Sequence, residues 1–114
     1  MDESFAQWTT QVRKGLAEAL VLNALAPGER YAYDLVRSLA ALPGLGLAEG
    51  TIYPLLSRLR LNGLVATRLV ESDSGPARKY YRLSPAGRQL LRAMNTHLDN
   101  LMSAWRSLRM EQTP

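Results

Sequence analysis

The 114-residue chain has no cysteine. It therefore has no disulfide framework and no thiolate ligand for a metal. Its one histidine, His97, builds no metal cluster alone. No serine–acid pair stands with it to suggest a hydrolytic triad, so a surface position is expected. There is no run of about 18 apolar residues, which excludes a membrane-spanning helix. The opening Met1-Asp2-Glu3 is acidic where a secretory signal peptide requires basic charge. A cytoplasmic location is the simplest expectation. Gly44, Gly46 and Gly50 are wrongly spaced for a dinucleotide-binding loop, and no strand pattern precedes them. With no acid–base pair and no cofactor loop, neither an enzyme nor a cofactor is expected. No repeat, low-complexity segment or linker interrupts the chain, and its length suits one domain over residues 1–114.

Acidic residues are scarce in one particular stretch. From Arg58 to Arg92 there are eight basic residues and only Glu71 and Asp73 against them, a net +6. The remainder carries six basic and eight acidic residues, a net −2. Positive charge concentrated on one module is the footprint of a phosphate-binding face, although an arginine-rich solvated surface has the same composition.

Hydrophobic residues, 46% of the chain, are spaced for helices at both ends. Phe5, Trp8, Val12, Leu16, Ala19 and Leu20 predict a helix from about Ser4 to Leu25, with Ser4 as cap and Gln7 in the capping-box position. Pro27-Gly28 ends it. A second helix is expected over Tyr31–Leu42 and a third over Ala48–Leu61, stopped by a left-handed cap at Asn62-Gly63. Pro54 fits the third helix only if regular hydrogen bonding starts near Glu49–Thr51. Leu64–Glu71 reads as a strand and Ser72–Pro76 as a turn. Arg78–Leu83 is a return strand, with Arg78, Tyr80 and Arg82 on one face and Lys79, Tyr81 and Leu83 on the other. Ser84-Pro85 opens a last helix. That helix carries Leu90, Leu91, Met94, Leu98, Leu101, Met102, Trp105 and Leu108, a stripe of about five turns, longer than a small core covers. The expected fold is mainly α with a small β-hairpin: a winged helix-turn-helix plus long N- and C-terminal helices.

The residues also carry a resemblance. Gly15 with its apolar run, Tyr33, the block Gly50-Thr51-Ile52-Tyr53-Pro54-Leu55-Leu56, Arg58-Leu59, Gly63-Leu64-Val65, Arg78-Lys79-Tyr80-Tyr81 and Pro85-Ala86-Gly87 resemble the PadR family of bacterial transcriptional regulators. The likeness spans Arg13 to Leu91 and suggests the compact subfamily with one C-terminal dimerisation helix. The family's usual Gly-Tyr in the second helix is Ala32-Tyr33 here. The resemblance implies a DNA-binding core over about 13–83 with a wing over 64–83, a dimerisation helix over 84–111 and an N-terminal extension over 3–13.

It further implies a homodimeric, ligand-responsive repressor that reads a two-fold symmetric double-stranded DNA operator through the third helix and the wing. The expected DNA contacts are Tyr33, Thr51, Ile52, Tyr53, Pro54, Arg58, Arg78 and Lys79, the last two near the wing tip. The dimer interface is expected from Phe5, Leu91, Met94, Leu98, Leu101 and Leu108. Trp8, Val12, Met102 and Trp105 are candidates for a pocket taking a planar hydrophobic or phenolic effector, or for plain dimer packing. The alternative is a helical protein-interaction module that keeps the winged-helix core without binding DNA. Such a module has no reason to gather a net +6 on its hairpin.

Overall fold

The computed structural model describes residues 2–112; Met1, Thr113 and Pro114, which the single-domain expectation includes, lie outside the described residues. The first helix, α1, is Glu3–Leu25, and its cap is Asp2 rather than Ser4. The Asp2 carboxylate accepts a hydrogen bond from the Phe5 amide at 2.9 Å. It also places a negative charge at the positive end of the helix, which a serine cannot do. The apolar stripe of α1 divides in two. Ala17, Val21, Leu22 and Leu25 are buried, whereas Phe5 and Trp8 remain exposed.

Arg30–Tyr31 form a short strand, β1, where no strand was expected from the sequence. Two residues carry no periodicity, so nothing local announces it. Their partners lie 50 residues on: Arg30 pairs with Tyr81 and Tyr31 with Tyr80. The second helix, α2, consequently starts at Ala32 and not at Tyr31; it ends at Ala40, two residues before the expected Leu42, and buries Leu35, Val36 and Leu39.

The third helix, α3, is Glu49–Leu61, with Pro54 as its sixth residue. Proline has no amide to offer the Gly50 carbonyl one turn back, so that bond is forfeited near the helix start. The helix stops where Gly63 adopts φ +75°. The Leu64 amide then reaches back to the Leu59 carbonyl at 2.9 Å, closing the C-terminal end in a Schellman arrangement.

The wing consists of β2, Val65–Ser72, and β3, Gly75–Leu83. They pair antiparallel from Val65↔Leu83 to Ser72↔Gly75, with an irregularity between Val70 and Ser72. The turn is tighter than expected, because Gly75 and Pro76 join the strand. The sheet order is β1-β3-β2. Tyr81, Leu83 and Val65 turn into the core as alternation requires.

The last helix, α4, is Pro85–Met110. Ser84 caps it, accepting from the Gly87 amide at 3.0 Å. The Ser84 hydroxyl also donates to the Gly63 carbonyl at 2.6 Å, tying the start of α4 to the end of α3. Gly87 sits against that same turn: a Cβ there would lie 2.0 Å from the Leu64 carbonyl oxygen. Only Gly87 and Leu91 of α4 are buried. Leu91, expected at a dimer interface, is thus a core residue of the single chain; it lies on the first two turns, where α4 still crosses the sheet and α1. Beyond them α4 leaves the sheet and runs out beside the N-terminal half of α1, and the molecule measures 63 × 32 × 21 Å. Its radius of gyration of 16.9 Å exceeds the value of about 13 Å for a compact domain of ~100 residues.

Candidate nucleic-acid interface and apolar groove

The inner face of α3, made by Ile52, Leu55, Leu56 and Leu59, is anchored in the core. Ile52 is fully buried. It was expected among the DNA contacts, but its side chain holds the helix on the core instead, because it shares a face with Leu55, Leu56 and Leu59 at helical spacing. Its neighbours Thr51, Tyr53 and Pro54 are exposed on the first turns. Arg58, near the other end, is paired with Glu18 of α1 at 3.1 Å and remains 61% exposed. An exposed pair of this kind is worth at most about 1 kcal/mol, so a phosphate competes with Glu18 for it.

Tyr33, in the first turn of α2, is half exposed. Its hydroxyl accepts a hydrogen bond from Arg37 Nη1 at 2.9 Å, and the guanidinium carbon stands 5.5 Å from the ring centre. The hydrogen bond to the hydroxyl raises the Arg37 pKa.

On the wing, Arg78 pairs with Val70 and Lys79 with Leu69. Both therefore stand within the ladder, close behind the tip pair Ser72↔Gly75. The tight Asp73-Ser74 turn and the inclusion of Gly75-Pro76 in β3 carry the tip farther out. Arg78 shares the outer face with Tyr80 and Arg82, and Lys79 the opposite face with the exposed Leu69. Both side chains are exposed.

The outer face also holds Tyr31 and Arg68, which were not among the expected site residues. Tyr31 lies 6.1 Å from Tyr33 and 5.7 Å from Tyr80, centroid to centroid. Arg78 stacks over Tyr31 at 5.1 Å and Arg68 over Tyr80 at 5.8 Å. Arg68 is also gripped by Glu29, with Nη2–Oε1 at 2.6 Å and Nε–Oε2 at 2.7 Å. That hydrogen bond holds the Glu29 carboxyl below the usual carboxylate range and raises Arg68. The alternation of Arg78, Tyr80 and Arg82 was legible; their cross-strand partners, from Val70 opposite Arg78 to Tyr31 opposite Tyr80, were not. Behind this face, burial pushes the Tyr81 hydroxyl pKa up, which keeps that core phenol neutral.

At the other end of the molecule, α1 and α4 diverge around an apolar groove of about 570 Å³. All four expected pocket residues line it: Trp8, Val12, Met102 and Trp105. So do Met94, Leu98 and Leu101, expected at the dimer interface, together with Gln11 and His97. His97 is exposed at the groove, in keeping with a surface position. The two indoles face each other at 6.3 Å and 45°, and Phe5 packs on Trp8 at 6.1 Å. Phe5 and Leu108 are exposed beyond the groove. Asn23 and Asn95 exchange two hydrogen bonds of 3.1 Å across the two helices. Among the described residues there is no group of three His, Asp or Glu side chains fit to hold a metal, and no helix is long and apolar enough to cross a membrane.

Three helices packed on one core, the third presenting an exposed face, followed by an antiparallel basic hairpin, define a winged helix-turn-helix protein. Its family follows from residues 21–93, which match the model of the transcriptional regulator PadR-like family. The chain belongs to that family: it is a transcriptional regulator of the DNA-binding winged-helix kind, not an enzyme. Solved structures agree over nearly the whole chain. It is similar to a PadR-like regulator from Bacillus cereus at 30% identity and a TM-score of 0.78, covering 91% of this chain and 99% of the other. A PadR family regulator from Eggerthella lenta matches at 32% identity and 0.79, covering 98% and 96%. A PadR-like transcription factor from Bacteroides fragilis matches at 33% identity and 0.73, covering 90% and 98%. Among curated proteins none matches.

Proposed function

We propose that the protein is a homodimeric, ligand-responsive repressor that binds a two-fold symmetric operator through α3 and the wing. One observation carries the reading: the protomer leaves a long apolar face open along α1 and the outer turns of α4. Trp8, Leu101, Trp105 and Leu108 are each 44–62% exposed on it. An apolar surface of this extent on a small protein marks an interaction site. A second copy docked there would pair like with like about a two-fold axis and set two α3 helices in successive major grooves, about 34–36 Å apart.

The DNA-facing groups follow from what is exposed. Thr51, Tyr53 and the N-terminal turn of α3 offer hydroxyls and free amides to bases and phosphates. Arg78, Lys79 and Arg58 supply charge, with Tyr33 at the α2 end. The groove between Trp8 and Trp105 suits a planar hydrophobic or phenolic effector, which an indole stacks on. Bound between the two copies, it favours one spacing of the α3 helices over another, to the extent that its affinities for the two differ.

The test is a gel-shift titration with DNA from upstream of the protein's own gene, with unrelated competitor DNA, at two salt concentrations. Retention against competitor and loss with added salt are expected, as is release by a planar aromatic acid that also quenches tryptophan fluorescence. Both tryptophans of the chain line the groove, so a bound ring is seen directly. Binding lost equally to competitor would refute operator recognition on this DNA and favour the protein-interaction module.

A further inference from the structure

The outer face of the sheet carries an arrangement that recognition by α3 does not require. Tyr33, Tyr31 and Tyr80 form a continuous row that crosses from α2 through β1 to β3, with centroid steps of 6.1 and 5.7 Å. Each ring carries one guanidinium: Arg37 on Tyr33, Arg78 on Tyr31 and Arg68 on Tyr80. A stacked guanidinium keeps its N–H edge free while its rotamers are already restricted, so it binds a phosphate with little further loss of entropy. The three arginines are not equivalent. The Arg78 guanidinium makes no hydrogen bond or ion pair among the described residues, and the Arg37 guanidinium donates only to the Tyr33 hydroxyl. Arg68 spends two of its nitrogens on the Glu29 carboxylate through bonds of 2.6–3.0 Å.

We propose that the tyrosine row is a phosphate rail on which Arg37 and Arg78 engage the nucleic-acid backbone, while Glu29 holds Arg68 out of contact. The proposal rests on the DNA-binding reading above and adds three things to it. Arg37 becomes a backbone contact. Tyr31 and Tyr80 become positioning residues. Glu29 becomes an internal stand-in for phosphate that limits affinity for DNA of any sequence. A carboxylate and a phosphate oxygen make the same charge-assisted bonds to a guanidinium, so occupation of Arg68 by one excludes the other. Limiting this sequence-independent component favours the operator, because non-specific sites compete through phosphate contacts alone.

Phosphate neutralisation is read from salt dependence, each phosphate adding about 0.9 to the slope of log affinity against log salt. The probe is a labelled DNA duplex of arbitrary sequence, roughly two helical turns long. Arg37→Gln is expected to flatten the slope by about 0.9 per protomer engaged, and Glu29→Gln to steepen it by the same amount as Arg68 is released. Arg68→Gln is expected to leave the slope unchanged, which keeps the test decisive if Glu29→Gln loosens the wing. Tyr31→Phe should retain affinity and Tyr31→Leu lose it, since the ring and not the hydroxyl carries Arg78. A flattened slope in Arg68→Gln, or an unchanged one in Arg37→Gln, overturns the rail while leaving DNA binding intact. Wild-type protein that fails to bind the duplex in a salt-dependent manner overturns the DNA-binding reading, and the rail with it.

Discussion

Gly87 shows how much a single position can constrain. It belongs to a Pro-Ala-Gly sequence that opens a helix, and nothing in a helix start requires glycine there. The reason lies across the fold, in a Leu64 carbonyl oxygen 2.0 Å from where a Cβ would stand. That atom is backbone and cannot swing aside. Gly87→Ala is therefore expected to destabilise by at least about 2 kcal/mol, lowering Tm by roughly 10 °C in a thermal melt followed by circular dichroism. An unchanged melt would mean that the start of α4 does not press on the α3–β2 turn. Ile52 shows the converse. Its place within a block of expected DNA contacts suggested exposure, but its spacing from Leu55, Leu56 and Leu59 turned it inward, and the spacing decided.

At the level of elements, α1, α3 and α4 were legible because each shows 3.6-residue periodicity, with α1 ended by Pro27-Gly28, α3 by Gly63 and α4 opened by Ser84-Pro85. The wing was legible through its alternation. β1 was not, since two residues have no period and their conformation is imposed by Tyr80 and Tyr81. The same pairing explains why α2 starts at Ala32 and not at Tyr31. The wing is also the element that concentrates sequence-independent charge. Replacing Arg78 and Lys79 together by alanine is expected to weaken binding to every DNA sequence by a similar factor. The salt slope should flatten by about 0.9 for each phosphate no longer neutralised. A weakening confined to operator DNA would instead point to base contacts in the wing.

Across the whole molecule the mismatch between core and length dominates. The core formed by α1, α2, α3 and the sheet ends at Leu91, and the outer turns of α4 continue into solvent with an apolar stripe. Leu101 is half exposed in that stripe. Leu101→Glu is expected to convert a dimer to a monomer in sedimentation velocity without lowering helix content, because the protomer core stays intact. Operator affinity should fall with it, since two half-sites are then bound without linkage. A variant that remains dimeric would place the two-fold contact elsewhere.

Composition, periodicity and charge placement by themselves determined the class of fold, the order of the helices and the wing strands, the basic hairpin and the apolar character of both end helices. These are properties of neighbouring residues, and the 3.6- and 2-residue repeats write them directly into the chain. Only the tertiary structure decided which apolar residues are core and which are left over: Leu91 inside, Leu101 outside, on the same stripe of the same helix. Likewise, only folding gathered Tyr31, Tyr33, Tyr80, Arg37, Arg68, Arg78 and Glu29 on one face. Their separations along the chain reach about 50 residues, and no local repeat encodes a contact made at that distance.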